Sequence, residues 1–271
     1  MEKIIISVAP VEAGTPVDAV PLAEDVAKCV EAGAAMCHLH CRRPDGSLTE
    51  DTGYLETCFE EILKRTDVVV QASTGGVSDL TIEQRCTPLD YKKVESASLN
   101  VGSTNLGEAV YINSFEQVRY CSQAVYDHKI IPEIEVFDIG MIHNVEFVRE
   151  TIPFRDPVLF NLVFGHKGGM QPRMDSLAVF RSFVPSWGKW GVTHFGRDNW
   201  NFLAAAIAMG ARIVRIGFED SHYLAPGVMA KYNYELVEKL VKLIHAMDFE
   251  VASPAEAREI MNIQKRETAK T

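Results

Sequence analysis

The stretch Ala34–Cys41 reads AAMCHLHC, an apolar run that leads into two histidines two positions apart. Because strand side chains alternate between faces, His38 and His40 are predicted to point the same way where a strand ends. Two neutral imidazoles from one strand edge supply two of the three protein ligands that a catalytic zinc site typically uses. Taken alone, the pair fits two hydrogen-bonded core histidines as well as it fits a metal site.

A second segment, Val214–Asp220, reads VRIGFED and ends another apolar strand pattern in two adjacent carboxylates. Carboxylate oxygens complete many zinc sites that are built on histidine. Glu219 and Asp220 therefore favour metal binding by the histidine pair, provided that the fold brings the two segments together.

The chain as a whole alternates short β-branched runs with amphipathic stretches, which is the pattern of βα units around a parallel sheet. Eight such units in 271 residues favour a closed (β/α)8 TIM barrel, an α/β fold, over an open doubly wound sheet. The predicted strands are Lys3 to Ala9, Ala35 to His40, Val68 to Ser73, Ala97 to Gly102, Ile130 to Val136, Val158 to Phe164, Lys189 to Thr193 and Arg212 to Gly217.

Helical patterns lie between these strands and after the last one, and the least regular of them is Val77 to Glu95. No Gly/Ser-rich linker divides the chain, so residues 1–271 are predicted to form a single domain whose polar tail, after Met261, is frayed. The other predicted helices are Leu22 to Ala32, Tyr54 to Lys64, Ser114 to Asp127, Asn144 to Thr151, Met174 to Phe183, Asn199 to Met209 and Tyr234 to Asp248.

Amino-acid composition and charge limit the classes of partner, the cellular location and the cysteine chemistry that we expect. The net charge of -10 is spread without blocks of Lys and Arg, which argues against a nucleic-acid partner. No apolar run approaches the ~20 residues of a membrane-spanning helix, and the N-terminus lacks the features of a signal peptide, so we expect a cytoplasmic protein. The six cysteines form no Cys-x-x-Cys pair and are interpreted as small buried hydrophobes.

Enzymes with a TIM barrel carry their catalytic residues at the C-terminal ends of the strands, and the polar residues of this chain fall there. In a closed barrel only the first strand separates the eighth from the second, so Glu219 is expected to reach a metal held by His38 and His40. The residues expected at this mouth are Glu12, His38, His40, Ser73, Ser103, Glu133, Glu135, Asp138, His166, His194, Arg197, Arg215, Glu219 and Asp220.

Several motifs occur in the order and with the spacing of one enzyme family. They are Cys37–His40 (CHLH), Ala72–Gly76 (ASTGG), Asn100–Ser103 (NVGS), Ile131–Phe137 (IPEIEVF), Gly165 with Gly168–Met170, and Val214–Asp220 (VRIGFED). From the first strand to about Ile263 the chain resembles the β-keto acid cleavage enzymes, the family of the 3-keto-5-aminohexanoate cleavage enzyme.

The resemblance implies a zinc-dependent TIM barrel that forms homotetramers. Its implied reaction exchanges acyl groups between a β-keto acid and the cosubstrate acetyl-CoA, giving acetoacetate and a new acyl-CoA. The residues that carry over are His38, His40 and Glu219 as zinc ligands, Asp220 as the base, Arg215 as its partner, and Ser73 and Ser103 as pocket hydroxyls.

The chemistry of a β-keto acid suits such a site. Its carboxylate and keto oxygens chelate one divalent ion, which acts as a Lewis acid and acidifies C2. A carboxylate base within ~3 Å takes the C2 proton, and an adjacent arginine orients that base. The enolate then attacks the acetyl thioester, and the released CoA thiolate attacks the original keto carbon, which splits the C2–C3 bond.

Several of these residues keep a structural alternative. Arg215 is also explained as an ion pair that closes the barrel, and Ser73 and Ser103 as turn hydrogen bonds. His166 and His194 are candidates to bind an anionic or hydroxylated substrate tail or a CoA phosphate, or else form hydrogen-bonded walls of the pocket.

Glu12 and Glu135 are the acidic candidates for substrate binding. Glu12 follows the first strand, near the place where the aminohexanoate enzyme carries an acidic residue that contacts the substrate amine. The chain departs from the family at this turn, because Val11–Gly14 replaces a Thr-Gly-Ala turn and the ungapped position falls on Gly14.

Two other functions stay open. Metal-dependent aldolases and lyases of the HMG-CoA lyase type also carry His-x-His on a barrel strand, but they place an Asp ligand beside an Arg on the first strand, where this chain has Ile4–Ser7. A non-catalytic metal-binding barrel would hold a structural zinc ion, and such sites are usually closed by four protein ligands.

Overall fold

A computed structural model describes residues 2–266 and contains eight parallel strands, each followed by a helix. The strands pair in chain order, and pairing between the eighth and the first closes the sheet. The predicted (β/α)8 TIM barrel is confirmed. The barrel strands are β1 (Lys3–Val8), β2 (Met36–Leu39), β3 (Val69–Ser73), β4 (Ser96–Asn100), β5 (Ile131–Val136), β6 (Val158–Phe164), β7 (Gly188–His194) and β8 (Ile213–Ile216).

The helices pack around this barrel, and the region predicted at Val77 to Glu95 contains a five-residue helix followed by a 3-10 turn at Thr87–Asp90. Residues 267–271, which include the end of the predicted frayed tail, lie outside the described part. The helices are α1 (Ala19–Ala32), α2 (Gly53–Leu63), α3 (Ile82–Cys86), α4 (Phe115–Asp127), α5 (Ile139–Arg149), α6 (Met174–Ser182), α7 (Asn201–Ala208), α8 (Asn233–Ala246) and α9 (Pro254–Met261).

The start of α5 differs from the prediction by five residues. The helix begins at Ile139 rather than at Asn144 because Asp138 caps it, with a carboxylate oxygen that accepts the Gly140 N–H at 2.9 Å. A carboxylate at this position satisfies one of the free N–H groups of the first helical turn. Asp138, which we predicted at the barrel mouth, therefore serves the helix terminus.

The sequence-based prediction lacks α9 and three short strand pairings. Helix α9 starts with a capping box, in which the Ser253 hydroxyl accepts the Glu256 N–H and the Glu256 carboxylate accepts the Ser253 N–H. The short pairings are the hairpin Thr104–Leu106 with Ala109–Tyr111, the hairpin Tyr223–Ala225 with Val228–Met229, and Glu250–Val251 alongside β1.

Apolar side chains fill two separate layers of the barrel. One layer lies between the strands and the surrounding helices and includes Ile4, Ile6 and Val8 of β1. The second fills the N-terminal end of the barrel interior, where α9 closes it. Because apolar burial occupies that end, the polar residues of the strands are left to the opposite, C-terminal end. The second layer consists of Ile5, Ala35, Met36, Val69, Ile131, Leu159, Ile213, Ala252, Ala257, Met261 and Ile263.

All six cysteines are buried and free, as predicted from their spacing. Across residues 2–266, the helices are too short or too polar to cross a bilayer.

A buried ion pair fastens α9 to the barrel and gives a test of the fold. Arg258 donates from Nε and Nη2 to the two carboxylate oxygens of Glu95, at 2.7 and 2.8 Å. We expect Arg258→Ala to lower the free energy of unfolding by about 3 kcal/mol, because Glu95 would stay buried without its cation. Urea denaturation measures this change.

The control is Arg181→Ala on the exposed face of α6, which should change stability by less than about 0.5 kcal/mol. A loss for Arg258→Ala that matches the control would contradict the proposed contribution of this ion pair.

Candidate active site

The three predicted metal ligands meet at the C-terminal end of the barrel. One candidate ligand atom from each of His38, His40 and Glu219 lies within 4.8 Å of the other two. Nε2 of His40 is 3.2 Å from Oε1 of Glu219, and Nε2 of His38 is 3.9 Å from the same oxygen. His38 belongs to β2, His40 follows its last residue, and Glu219 follows β8. Closure of the sheet through β1 brings them together.

Gly217 explains how the chain after β8 reaches this position. Its φ is +139°, and a Cβ there would lie 2.1 Å from the carbonyl oxygen of Ala9. This close approach lets the Glu219 N–H donate to Ala9 O at 3.1 Å. A residue with a side chain would be strained in that backbone conformation and would push the segment away from β1.

The rings of both histidines are oriented through Nδ1. His38 Nδ1 lies 2.7 Å from Oε1 of Gln71, and His40 Nδ1 lies 3.2 Å from the carbonyl oxygen of Gly75. An oxygen that only accepts requires Nδ1–H, so Nε2 carries the lone pair. Within residues 2–266 the buried His38 Nε2 has no hydrogen-bond partner. Two imidazole lone pairs and a carboxylate oxygen that converge in this way fit the ligand set of a divalent metal such as zinc.

Arg215 of β8 connects three carboxylates at the same mouth. Its Nε and Nη2 donate to the two oxygens of Asp220 at 3.1 and 3.0 Å. Nη2 also donates to Glu219 at 2.6 Å, and Nη1 donates to Glu135 at 3.0 Å. The bidentate contact fixes the plane of the Asp220 carboxylate, since a guanidinium matches a carboxylate in only a few geometries.

Burial and nearby charged groups, with Arg215 foremost among the cations, shift the pKa values of the carboxylates. Burial raises the pKa of Glu135 to about 7, against the opposing effect of Arg215. Burial also raises the pKa of Asp220, although Arg215 opposes that shift as well. For Glu219, burial alone would raise the pKa, but Arg215 and the His40 ring hold it well below its usual range. Glu219 is therefore the carboxylate of this group that stays ionised most readily.

A cavity of about 620 Å³ opens over these residues. One wall is the His166 ring, which stacks on Phe195 with ring centroids 4.0 Å apart and an interplanar angle of 16°. Burial lowers the pKa of His166 to about 4, so the ring is neutral at physiological pH. Residues that line the cavity include Ala13, Gly14, His40, Arg42, Leu48, Val77, Asp79, Leu106, His166, Phe195, Arg215, Glu219 and Asp220.

Neither of the two predicted serines is among the residues that line the cavity, and they differ in exposure, since Ser73 is buried and Ser103 is exposed. The Ser73 hydroxyl is 3.3 Å from that of Ser98 and accepts the Gly75 N–H at 3.1 Å. Ser103 is exposed, and its hydroxyl accepts the Asn113 N–H at 2.8 Å. Both serine hydroxyls therefore make the backbone hydrogen bonds that their structural alternative predicts.

Neither His194 nor Glu12 lines the cavity. The His194 ring packs edge-on against Phe202 of α7, with centroids 5.1 Å apart, and burial lowers its pKa to about 4. The Glu12 carboxylate lies 3.2 Å from Nε2 of His222. His194 therefore contributes to the helix layer, and Glu12 to a contact with the His222 ring.

Sequence reasoning missed three residues that the structure places at or below the mouth. Gln71 precedes Ser73 by two positions on β3, and Arg42 follows His40 by two, so strand alternation was the available signal. Arg42 is a buried cation that lines the cavity and donates to Gly46 O at 2.8 Å. Ser98 carries no sequence signal beyond its place on a strand.

Comparisons with known proteins show which family the chain resembles. The profile of the beta-keto acid cleavage enzyme family matches residues 3–263. A 3-keto-5-aminohexanoate cleavage enzyme of Fusobacterium nucleatum is 33% identical over 275 residues, which cover 98% of this chain and 100% of that protein. A 3,5-dioxohexanoate:acetyl-CoA acetone transferase of Paraburkholderia graminis is 27% identical, with coverage of 97% and 96%.

A solved structure supports the fold. Apo ObcA superposes with a TM-score of 0.79 at 17% identity, over 92% of this chain and 65% of that chain. The family profile spans nearly the whole barrel and includes every strand that carries a residue of the cluster. The chain therefore belongs to the β-keto acid cleavage enzyme family.

Proposed function

We propose that this protein is a zinc-dependent enzyme that converts a β-keto acid and acetyl-CoA into acetoacetate and a new acyl-CoA. The observation that carries the proposal is the convergence of His38, His40 and Glu219 beside the Asp220–Arg215 pair. All of these residues except His38 line one cavity. Family membership supports the cleavage reaction, and the relative that is named an acetyl-CoA transferase supports acetyl-CoA as the cosubstrate.

His38, His40 and Glu219 would hold the zinc ion. When bound there, zinc polarises the carboxylate and keto oxygens of the substrate as a Lewis acid. Three protein ligands leave positions free for substrate, as catalytic zinc sites do and structural ones usually do not. The Nδ1 contacts of both histidines would leave Nε2 of each ring free to bind the ion.

Asp220 is the base in this proposal. Arg215 clamps both of its oxygens, which fixes the carboxylate over the cavity, and burial strengthens it as a base by raising its pKa. Asp220 takes the C2 proton of the β-keto acid. Glu135 accepts a hydrogen bond from Nη1 of Arg215 and so helps to keep the guanidinium in place.

The carbon that loses this proton attacks the acetyl carbonyl of acetyl-CoA, forming a C–C bond and releasing the CoA thiolate. The thiolate adds to the original keto carbon, the C2–C3 bond breaks, and the electron pair stays on the acetoacetate enolate, which regains a proton. Hydroxyl donors stabilise the negative oxygens that develop. Ser73 and Ser103 are the proposed donors, and the Ser98 hydroxyl, 3.3 Å from that of Ser73, is a further candidate.

Three further predictions belong to the proposal: the role of His166, the organisation in one domain, and the location and oligomeric state of the protein. The stacked pair of His166 and Phe195 borders the substrate tail. We further propose one domain over residues 1–271 and a cytoplasmic homotetramer. The exposed edge-to-face pair of Phe115 and Phe147 on α4 and α5 supplies apolar surface for contacts between subunits.

A substrate screen tests the function directly. Zinc-loaded protein is incubated with a panel of β-keto acids and acetyl-CoA, and mass spectrometry follows acetoacetate and the acyl-CoA products. We expect both products from at least one β-keto acid and none when acetyl-CoA is left out. Cleavage without acetyl-CoA would indicate a lyase instead, and no turnover across a broad panel with zinc bound would count against the proposal.

Two variants separate metal binding from proton transfer. Asp220→Asn should keep bound zinc and the folded structure but lower kcat by about 10²- to 10⁴-fold, because the base is lost. His38→Ala should lose both zinc and activity. Metal analysis and steady-state kinetics measure these effects, and His143→Ala, on an exposed ring of α5, is the control that should match wild type.

If His38→Ala retains a full complement of zinc, the assignment of that ligand is wrong. If Asp220→Asn turns over at the wild-type rate, another residue is the base.

A further inference from the structure

A chain of hydrogen bonds runs from His38 into the barrel interior and ends on a buried carboxylate. His38 Nδ1 meets Gln71 Oε1 at 2.7 Å, and Gln71 Nε2 donates to Oε2 of Glu133 at 3.0 Å. The other oxygen of Glu133 accepts from Asn161 Nδ2 at 2.8 Å. Glu133 is 2% exposed and forms no ion pair with any residue of the described range 2–266.

The neighbours of Gln71 determine which way its amide points. The Ser96 hydroxyl donates to the carbonyl oxygen of Ile131 at 3.0 Å, so it accepts from the Gln71 side chain, also at 3.0 Å. The group of Gln71 that faces Ser96 and Glu133 is therefore NH₂, and its oxygen faces His38. That oxygen only accepts, which requires the His38 ring to carry its proton on Nδ1.

A buried carboxylate stabilises the barrel core less than an apolar side chain in its place would. A carboxylate taken out of water without a cationic partner costs several kcal/mol, whereas apolar side chains fill the layer directly below at no such cost. Burial raises the pKa of Glu133, and the Gln71 donor, the more distant charge of Arg215 and the Asn161 donor oppose that rise. Two amide donors that converge on one carboxyl group match an ionised acceptor.

We propose that Gln71 and Glu133 are positioning residues that hold His38 as the Nδ1–H tautomer and thereby keep the Nε2 lone pair directed at the metal. This inference rests on the proposed function for the identity of the metal site. Glu133 acts through Gln71, because its carboxylate fixes the Gln71 amide and polarises it toward the imidazole. Partners of this kind orient ligand histidines and raise their basicity.

A double-mutant cycle on zinc affinity tests the inference. Zinc is titrated into metal-free wild type, Gln71→Met, Glu133→Gln and the double variant, in competition with a chromogenic chelator. We expect Gln71→Met to weaken zinc binding roughly 10- to 100-fold and Glu133→Gln to weaken it less. The double variant should match Gln71→Met, since Glu133 has no route to His38 once Gln71 is lost.

Glu95→Gln is the matched control, because it makes the same chemical change on a buried carboxylate at the opposite end of the barrel. It should leave zinc affinity unchanged. In the double variant an amide replaces the Glu133 carboxylate, so no buried charge is left without its donor. Its zinc affinity can therefore be measured even if Gln71→Met folds poorly. The visible spectrum of bound Co²⁺ gives a second readout, which should change in Gln71→Met and not in Glu95→Gln.

Wild-type affinity for Gln71→Met would overturn the inference, and additive losses in the cycle would overturn the action of Glu133 through Gln71. These outcomes differ from failure of the proposed function, in which wild type itself would bind no zinc or turn over no substrate.

Discussion

The contact between His40 and Glu219 depends on closure of the barrel between β8 and β1. Those residues are 179 positions apart, yet their side chains lie 3.2 Å from each other because β1 alone separates β2 from β8. Gly217 makes the final approach possible by letting the chain after β8 pass against Ala9. The candidate metal site is therefore a property of the closed sheet, and an open sheet of the same strands would not form it.

The guanidinium of Arg215 is the main ion-pair partner of the carboxylates at this mouth. Arg215 contacts Glu135, Glu219 and Asp220, so three carboxylates share one buried cation. Burial pushes Glu135 and Asp220 toward protonation, whereas Glu219 stays ionised beside His40. Environments that separate the pKa values of neighbouring carboxylates allow them to take different roles. In the proposed reaction Glu219 binds the metal and Asp220 moves the proton.

Much of the architecture could be predicted from the sequence, because eight buried strands leave continuous apolar runs and fix the order of the barrel. The positions of His38, His40 and Glu219 followed from strand alternation and from closure. Residues outside regular strands were harder to place. Ser103 and Asp138 sit one turn beyond their strands, where a backbone hydrogen bond or a helix cap decides the direction of the side chain. Helix α9 was missed although Ser253 and Glu256 carry its capping signal, because its eight residues are fewer than the roughly 11 or more over which helical periodicity is read.

The most direct measurement is anomalous diffraction at the zinc absorption edge, from crystals of the protein grown with zinc. The account predicts one strong peak at about 2.0–2.2 Å from Nε2 of His38, Nε2 of His40 and a carboxylate oxygen of Glu219. A peak elsewhere, or none between these three side chains under zinc-replete conditions, would contradict it.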